Sequence, residues 1–371
     1  MVILSVDPLF PLGGPVSAAD VVDREDFVAE LTDRLWEGQS VVLAGARRIG
    51  KSSVALEVLR QVAERGGKTV SLNLEETSTL REFGAKLAAG CLANLSRGIR
   101  VARNAETTLA ALLRGTTIRA KFLDLEIEAL RHPEAGSIEA YLDEALELPQ
   151  VVAQRTGQRV VVLLDEFQMA QTLGGESLMR RMRAHFQHQA GTAFLFLGSA
   201  PSLIEDIFAQ TRRPFYRFAT PLDLPAVPEE AWRSYMSARY ESRGLRIAPA
   251  ALDHILERTG GHAYDTMQVG FEAFLLARTG EREIGLGVAE AACAAALEHL
   301  ATAFDYDLER AGPAARLLLA RIAKGQPLYQ DAASSDTVRR TLRRLVQAGY
   351  LVRLGHGRYA FREPMLQAHL L

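Results

Sequence analysis

The sequence predicts an α/β fold: a parallel sheet covered by helices, followed by a helical segment and a small C-terminal domain. Three observations predict it. The runs RVVVLLDEF (159–167) and TAFLFLGSA (192–200) are apolar almost throughout, as strands buried on both faces are. QSVVLAG (39–45) leads through a Gly-bounded loop into the amphipathic stretch VALEVLRQVAERGG (54–67). Strands that alternate with helices favour a parallel sheet.

Along the chain, residues 1–20 are rich in Gly, Pro and Ala, and FPLGGPVSAAD (10–20) reads as an extended arm. DREDFVAELTDRLWEG (23–38) then sets Phe27, Leu31 and Leu35 four residues apart, one face of a helix that Gly38 ends. KTVSLNLEE (68–76) is a second β-rich run, and residues 78–157 read as mainly helical. After PLDLPAV (221–227) strand signals fade, and residues 229–310 read as helices broken by TGGHAY (259–264) and RTGEREIG (278–285). From Pro313 the pattern is helix, a second helix in SSDTVRRTLRRLVQAG (334–349), and two short strands around Gly355-His356-Gly357. Helix, helix and a two-stranded hairpin is a winged-helix pattern. The expected organisation is an arm (1–20), an α/β core (21–223), a helical domain (224–310) and a winged helix (311–371).

Composition narrows the function classes. Hydrophobic residues are 48% and charged residues 24%, which excludes a largely disordered chain. Aromatic residues are only 7%, so the cores are expected to be mostly Leu, Val, Ile and Ala. No apolar run reaches the roughly 18 residues a membrane span needs, and no membrane partner is expected. The opening MVILSVDPLFPLGG lacks a basic start and does not read as a signal peptide. Cys91 and Cys293 are the only cysteines, without CxxC, so neither a disulfide framework nor a cysteine zinc site is expected. A reducing cytoplasm fits that usage.

The loop after the first strand is Gly45-Ala46-Arg47-Arg48-Ile49-Gly50-Lys51-Ser52, followed by Ser53. It fits G-x-x-x-x-G-K-[ST]. Glycines there let the backbone turn its N–H groups toward phosphate oxygens, and the next helix adds its positive N-terminal end. Lys51 is expected at the β- and γ-phosphates and Ser52 on Mg²⁺. The apolar strand VVVLLD delivers Asp165 and Glu166 to the carboxyl edge of the sheet, where ligands of open α/β folds bind. Asp165 is the second expected Mg²⁺ residue, and Glu166 would orient or deprotonate the attacking water.

With these residues in view, the chain resembles the P-loop ATPases of the AAA+/STAND group, above all the archaeal-type ATPases with a C-terminal winged helix. The resemblance rests on DREDFVAEL, GARRIGKSS, VVLLDEFQ, FLFLGSAPSLI, RRPFYRFATPLDL, TGGHAY and FREPMLQAHL, in family order over nearly the whole chain. It implies an AAA+/RecA-like core, a helical lid, and ATP/ADP with Mg²⁺ as cofactors. It further implies that Ser199 is a polar sensor of the γ-phosphate or water, and that Arg217 lies near the nucleotide or a neighbouring subunit, with Arg213 the competing candidate. His262 falls where the family's Gly-His-Pro contacts the phosphates, although Ala263 stands here in place of the proline. Arg24 and Glu25 are implied near the adenine. ATP rather than GTP rests on the resemblance, and no Asn/Thr-Lys-x-Asp guanine-reading motif is present. Origin-recognition ATPases share the plan but rank lower, because no clear arginine stands at their lid-helix sensor position.

Residues 313–371 carry nine Arg and one Lys against Asp331, Asp336 and Glu363, a surplus of seven positive charges on a chain of net charge −2. A basic module on an acidic body is an electrostatic footprint for nucleic acid. In the second helix Val338, Leu342, Leu345 and Val346 share an apolar face, while Arg340, Arg343 and Arg344 project oppositely with Arg339 at the margin. These arginines, with Arg353 and Arg358 on the hairpin, are the expected contacts to double-stranded DNA. The expected function is an Mg·ATP-hydrolysing ATPase whose nucleotide state controls the lid and a DNA-binding winged helix. The alternative is a non-hydrolysing nucleotide-bound switch or adaptor whose winged helix contacts protein partners, with self-association also open.

Overall fold

The computed structural model describes residues 8–45, 48–95, 119–122, 125–128, 138–199, 201–278, 282–329, 335–355 and 357–371. Its strands in chain order are β1 (Val41–Ala44), β2 (Lys68–Asn73), β3 (Arg119–Phe122), β4 (Leu125–Glu128), β5 (Val160–Asp165), β6 (Thr192–Gly198), β7 (Thr220–Asp223), β8 (Arg246–Ile247), β9 (Glu283–Ile284), β10 (Leu351–Gly355) and β11 (Arg358–Phe361). Five of them form one sheet in the order β2-β5-β6-β1-β7. Every pairing in it is parallel. Asn73 stands opposite Asp165, and Ala44 lies between Gly198 and Asp223. One edge of the sheet therefore gathers the carboxyl ends of all five strands.

The apolar runs are buried on both faces because the sheet is covered on both. Val160, Val162 and Leu164 of β5 join one core, whereas Val161 and Leu163 join the other. Leu31 and Leu35 of the helix Glu25–Trp36 pack on the second face, with Val54, Val58 and Val62 of the helix Lys51–Glu64. The first face departs from the expectation of an aliphatic interior. Phe167, Phe186, Phe194, Phe196, Phe208, Phe215 and Phe218, seven of fifteen phenylalanines, lie together there. Phe186 stacks on Phe194 at 3.9 Å between centroids, and Phe167 meets Phe196 at 4.6 Å and Phe215 at 5.1 Å. Sparse aromatics are concentrated directly beneath the acidic strand end, where offset and edge-on ring pairs make a stiff floor.

The helical reading of residues 78–157 needs correction. Helices Leu80–Leu95 and Ile138–Thr156 are present, but between them β3 and β4 pair antiparallel. The sequence RAKF…LEIE alternates apolar and charged residues, a period of two that belongs to a strand. The helical region after β7 likewise contains the short parallel pair β8–β9.

Beyond the sheet, one hydrophobic core runs from the lid helices into the winged helix. The helix Leu286–Ala311 contributes Ala289, Ala292, Ala296, Phe304 and Leu308 to this core, which also holds Leu318, Leu342, Leu351 and Met365. The turn at Gly312, with φ +90°, ends that helix. The expected winged-helix elements are the helices Pro313–Ala323 and Ser335–Gln347 with β10 and β11 antiparallel. The first residues were read as an extended arm, yet Leu9 and Phe10 are buried in this same core, Phe10 edge-on to Tyr240 at 5.3 Å. Two large apolar side chains between Pro8 and Pro11 give the arm something to bury, which its Gly/Pro composition concealed.

Candidate nucleotide-binding site

The loop between β1 and the helix Lys51–Glu64 is shaped by its glycines. Gly50 caps the helix at φ +98°, a left-handed conformation that favours glycine. A Cβ at Gly45 would come within 2.6 Å of Ile49 Cδ1, so a side chain there would have to displace the end of Ile49. Arg48 is also left-handed, at φ +62°. The Lys51 ammonium, buried, donates to the Gly45 carbonyl at 2.9 Å. Ala46 and Arg47 lie outside the described residues.

The acidic strand end sits against this loop. Ser52 Oγ donates to Asp165 Oδ2 at 3.0 Å, and the Glu166 N–H donates to Asp165 Oδ1 at 2.8 Å. Burial pushes the Asp165 carboxyl up, although these hydrogen bonds and the Lys51 charge pull the other way. Glu166 is held at φ +51°, an uncommon conformation for a non-glycine residue. Ser199 Oγ donates to Glu166 Oε2 at 2.7 Å, the Ser199 N–H reaches it at 3.4 Å, and the Gln168 amide donates to the same oxygen. Ser199 thus meets the carboxylate of the expected water-activating residue. Gln168, buried two residues after Glu166, has a part that sequence reasoning missed. The polar residue in DEFQ, beside an apolar strand, was its only signal.

These groups open onto a cavity of about 550 Å³. Arg48, Ile49, Gly50, Lys51, Ser52 and Ser53 line it on one side, with Glu166 and Ser199 behind. The arm supplies a wall, from Pro11 to Val16, and the Val16 N–H donates to Ser53 Oγ at 3.1 Å. Val21, Val22, Val227, Trp232 and Met267 make a mostly apolar end suited to a flat aromatic group. Arg24 lies at that end, buried, and donates to the Ala226 carbonyl at 3.4 Å; burial lowers its guanidinium pKa, with the Asp23 charge opposing. Glu25 is instead the first residue of its helix.

Two of the expected site residues, His262 and Arg217, are not among the residues that line this cavity. The His262 side chain does not line the cavity; its neighbours Ala263 and Tyr264 do. His262 is buried with Nδ1 3.2 Å from Asp265 Oδ2, in a cluster completed by Glu363. The reason is the GGH turn: Gly260 and Gly261 both take positive φ, and a Cβ at Gly260 would meet Pro364 at 2.7 Å. The turn presses onto the C-terminal segment and carries His262 with it. Burial raises the Glu363 carboxyl to about 7, Asp265 and Asp307 adding to the rise and His262 and Arg48 opposing it. Arg217 is likewise absent from the cavity wall, exposed and stacked on Tyr216 at 5.2 Å. Arg213 is ion-paired with Asp206. Arg48 does bridge toward the lid, its guanidinium 4.9 Å from the Tyr264 ring centre.

On the winged helix, Val338, Leu342 and Leu345 are buried, and Arg339, Arg340, Arg343 and Arg344 are exposed together. Arg339 is tied back to Ser335 and Asp336, and Arg353 to the Gly355 carbonyl. Arg358 is exposed. Among the described residues, no helix is long and apolar enough to cross a membrane.

Strand order, phosphate loop and acidic strand end define a P-loop AAA+-type fold with a helical lid and a C-terminal winged helix. In particular, the structure is similar to the Walker-type ATPase of Pyrococcus abyssi, with a TM-score of 0.73 at 19% identity over 98% of this chain and 99% of that one. It is also similar to the Aeropyrum pernix ORC2 protein, solved as ADPNP-ADP complexes, with a TM-score of 0.59 at 14% identity over 98% and 96%. The Aeropyrum pernix ORC1 protein in complex with DNA gives 0.50 at 15% identity over 96% and 93%. No protein-family profile and no curated protein matches the sequence.

Proposed function

We propose that the chain binds Mg·ATP in this cavity and hydrolyses it, and that the nucleotide state sets the position of a lid and winged helix that binds double-stranded DNA. One observation carries the nucleotide reading. Ser52 and Asp165, from loop and strand, meet at 3.0 Å while Glu166 lines the same cavity. A hydroxyl beside a desolvated carboxylate is a hard-oxygen donor pair that fits Mg²⁺, and Ser52 and Asp165 are the residues that would hold it. Bound there, the ion would neutralise charge on phosphate oxygens.

The chain's own groups supply the rest. Lys51 leaves the Gly45 carbonyl for the phosphates, and Arg48, Ile49, Gly50 and Ser53 shape the loop around them, with Ala46 and Arg47 assigned to the same loop. The apolar end, with Arg24, holds the base. Glu166 takes the proton of the attacking water, positioned by Ser199 and Gln168. Arg217, exposed on the core, is available to the nucleotide of a neighbouring copy. Arg48 on Tyr264 connects the phosphate loop to the lid. Because the lid and winged helix share one core, a displaced lid would carry the winged helix with it. Arg339, Arg340, Arg343, Arg344, Arg353 and Arg358 are assigned to DNA phosphates and base edges, by the basic surplus and their common exposure.

The test is ATP turnover by the full chain, with and without duplex DNA, beside Lys51→Ala and Glu166→Gln. Turnover that both substitutions abolish and DNA stimulates supports the proposal. Nucleotide binding without turnover in either condition would overturn hydrolysis and leave a nucleotide-bound switch or adaptor. Duplex affinity that does not fall with added salt would overturn DNA contact through these arginines.

A further inference from the structure

The seam between lid and winged helix holds a buried charge problem outside the lining of the nucleotide cavity. His262 caps the helix Ala263–Ala277, Asp265 lies in its first turn, and Glu363 caps the helix Pro364–His369. One ligand atom from each lies within 4.8 Å of the others. Asp265 is 0% exposed, and neither of its carboxylate oxygens accepts a hydrogen bond among the described residues. Glu363 Oε1 is shut off from solvent and is equally without a donor there.

Two buried carboxylates left in this state are costly, because desolvation of a charge is repaid only by a counter-charge or hydrogen bonds. The start of the helix Ala263–Ala277 helps, but a helix N-terminus supplies only about half an elementary charge. His262, 3.2 Å from Asp265, and then Arg48 are the groups that offset charge at Glu363, against Asp265 and Asp307. Arg48 is exposed and stacked on Tyr264, with no hydrogen bond to the cluster. The balance around the cluster is therefore negative, and its unfilled capacity is for electron-pair acceptors.

We propose that His262, Asp265 and Glu363 bind a divalent transition-metal ion, Zn²⁺ by preference, which fastens the winged helix to the lid. One imidazole nitrogen with two carboxylate oxygens is a mixed donor set that Zn²⁺ takes, a water completing four-coordination. Mg²⁺ prefers all-oxygen surroundings, so the ion here is of a different class from the one proposed at Ser52 and Asp165. The close approach of Gly260 to Pro364 holds the two halves of the site in register.

The test uses the full chain, stripped with chelator and kept in Mg²⁺ without nucleotide, and titrated with Co²⁺ as a spectroscopic stand-in. The expected result is a single Co²⁺ per chain, with the visible absorption of four-coordinate cobalt, displaced by Zn²⁺. Asp265→Asn and Glu363→Gln should weaken that binding at least about tenfold, whereas Asp165→Asn should leave it in place. Glu363→Gln keeps the side-chain volume, so a folded variant is expected. Zn²⁺ should raise the thermal midpoint of the wild type and not of Glu363→Gln. No stoichiometric cobalt band, or a band lost in Asp165→Asn and kept in Glu363→Gln, overturns the proposal. An equal Zn²⁺ response in wild type and Glu363→Gln overturns it as well. Nucleotide is absent throughout, so the outcome does not depend on ATP hydrolysis.

Discussion

Two polar clusters meet at the lid, and they are finished differently. At the sheet edge, Asp165 accepts from Ser52 and from a backbone N–H, and Glu166 Oε2 accepts from Ser199 and Gln168. At the seam, both Asp265 oxygens and Glu363 Oε1 accept no hydrogen bond among the described residues, although they face His262. The first cluster is held by groups on three adjacent parallel strands and the loops that follow them, over a floor of phenylalanines. The second is made by two segments roughly a hundred residues apart in sequence. A satisfied cluster fixes the orientation of a reactive side chain. An unsatisfied one stores a cost that a ligand can relieve, as buried polar groups without partners demand an explanation.

The largest expected effect comes from breaking the finished cluster at its reactive group. Glu166→Gln keeps the hydrogen-bonding shape but cannot accept a proton. If the carboxylate is the general base, turnover should fall roughly 10²- to 10⁴-fold while nucleotide binding, read by the rise in thermal midpoint on adding ATP, persists. Lys51→Ala should lose that rise as well. Unchanged turnover in Glu166→Gln would remove the base from this position.

The seam cluster should respond in the opposite sense. In chelator, Glu363→Gln removes a buried carboxylate that has no donor on Oε1, so the metal-free chain should become more stable, by about 1–3 kcal/mol in denaturant unfolding. Loss of stability instead would mean that the carboxylate is already compensated in the metal-free chain.

Ser199→Ala tests how far positioning matters in the finished cluster. One hydrogen bond to the Glu166 carboxylate goes and Gln168 remains. We expect the turnover number to fall about tenfold with little change in KM, since about 1.4 kcal/mol in a transition state is tenfold in rate. A change confined to KM would make Ser199 a nucleotide contact rather than a positioning residue.

The two clusters were also unequally legible. Gly45, Gly50, Lys51, Ser52, Asp165 and Glu166 could be placed from sequence because their chemistry is local: a loop between a strand and a helix, and the end of an apolar run. Ser199 was implied by the family resemblance, at the end of the next apolar run. Gln168 was missed, since its role depends on how the chain turns after β5. His262 was assigned to phosphates from a short motif, but the Gly260–Pro364 contact that turns it toward Glu363 joins segments whose proximity no local pattern encodes. The strands β3 and β4 were hidden for another reason: short alternating segments sit inside a long helical context, and the wider pattern outweighed them.

A third acidic group, half-buried and paired, gives the comparison its lower bound. Asp143 accepts from Arg181 at 2.6 Å and from His185 at 2.8 Å, with its side chain 40% exposed. Partial burial raises its carboxyl, but the hydrogen bonds and charges of Arg181 and His185 outweigh that and hold it below the usual carboxylate range. A carboxyl depressed in the folded state contributes stability above its unfolded pKa and loses it as pH falls through the folded one. Asp143→Asn should therefore cost stability near neutrality and cost nothing further once both states are protonated in strong acid. Solvent screening limits the neutral-pH loss to under about 1 kcal/mol. Unfolding of wild type and variant across the acid range reads it directly. A larger loss would mean that pairing, rather than burial, sets what an acidic group contributes in this fold.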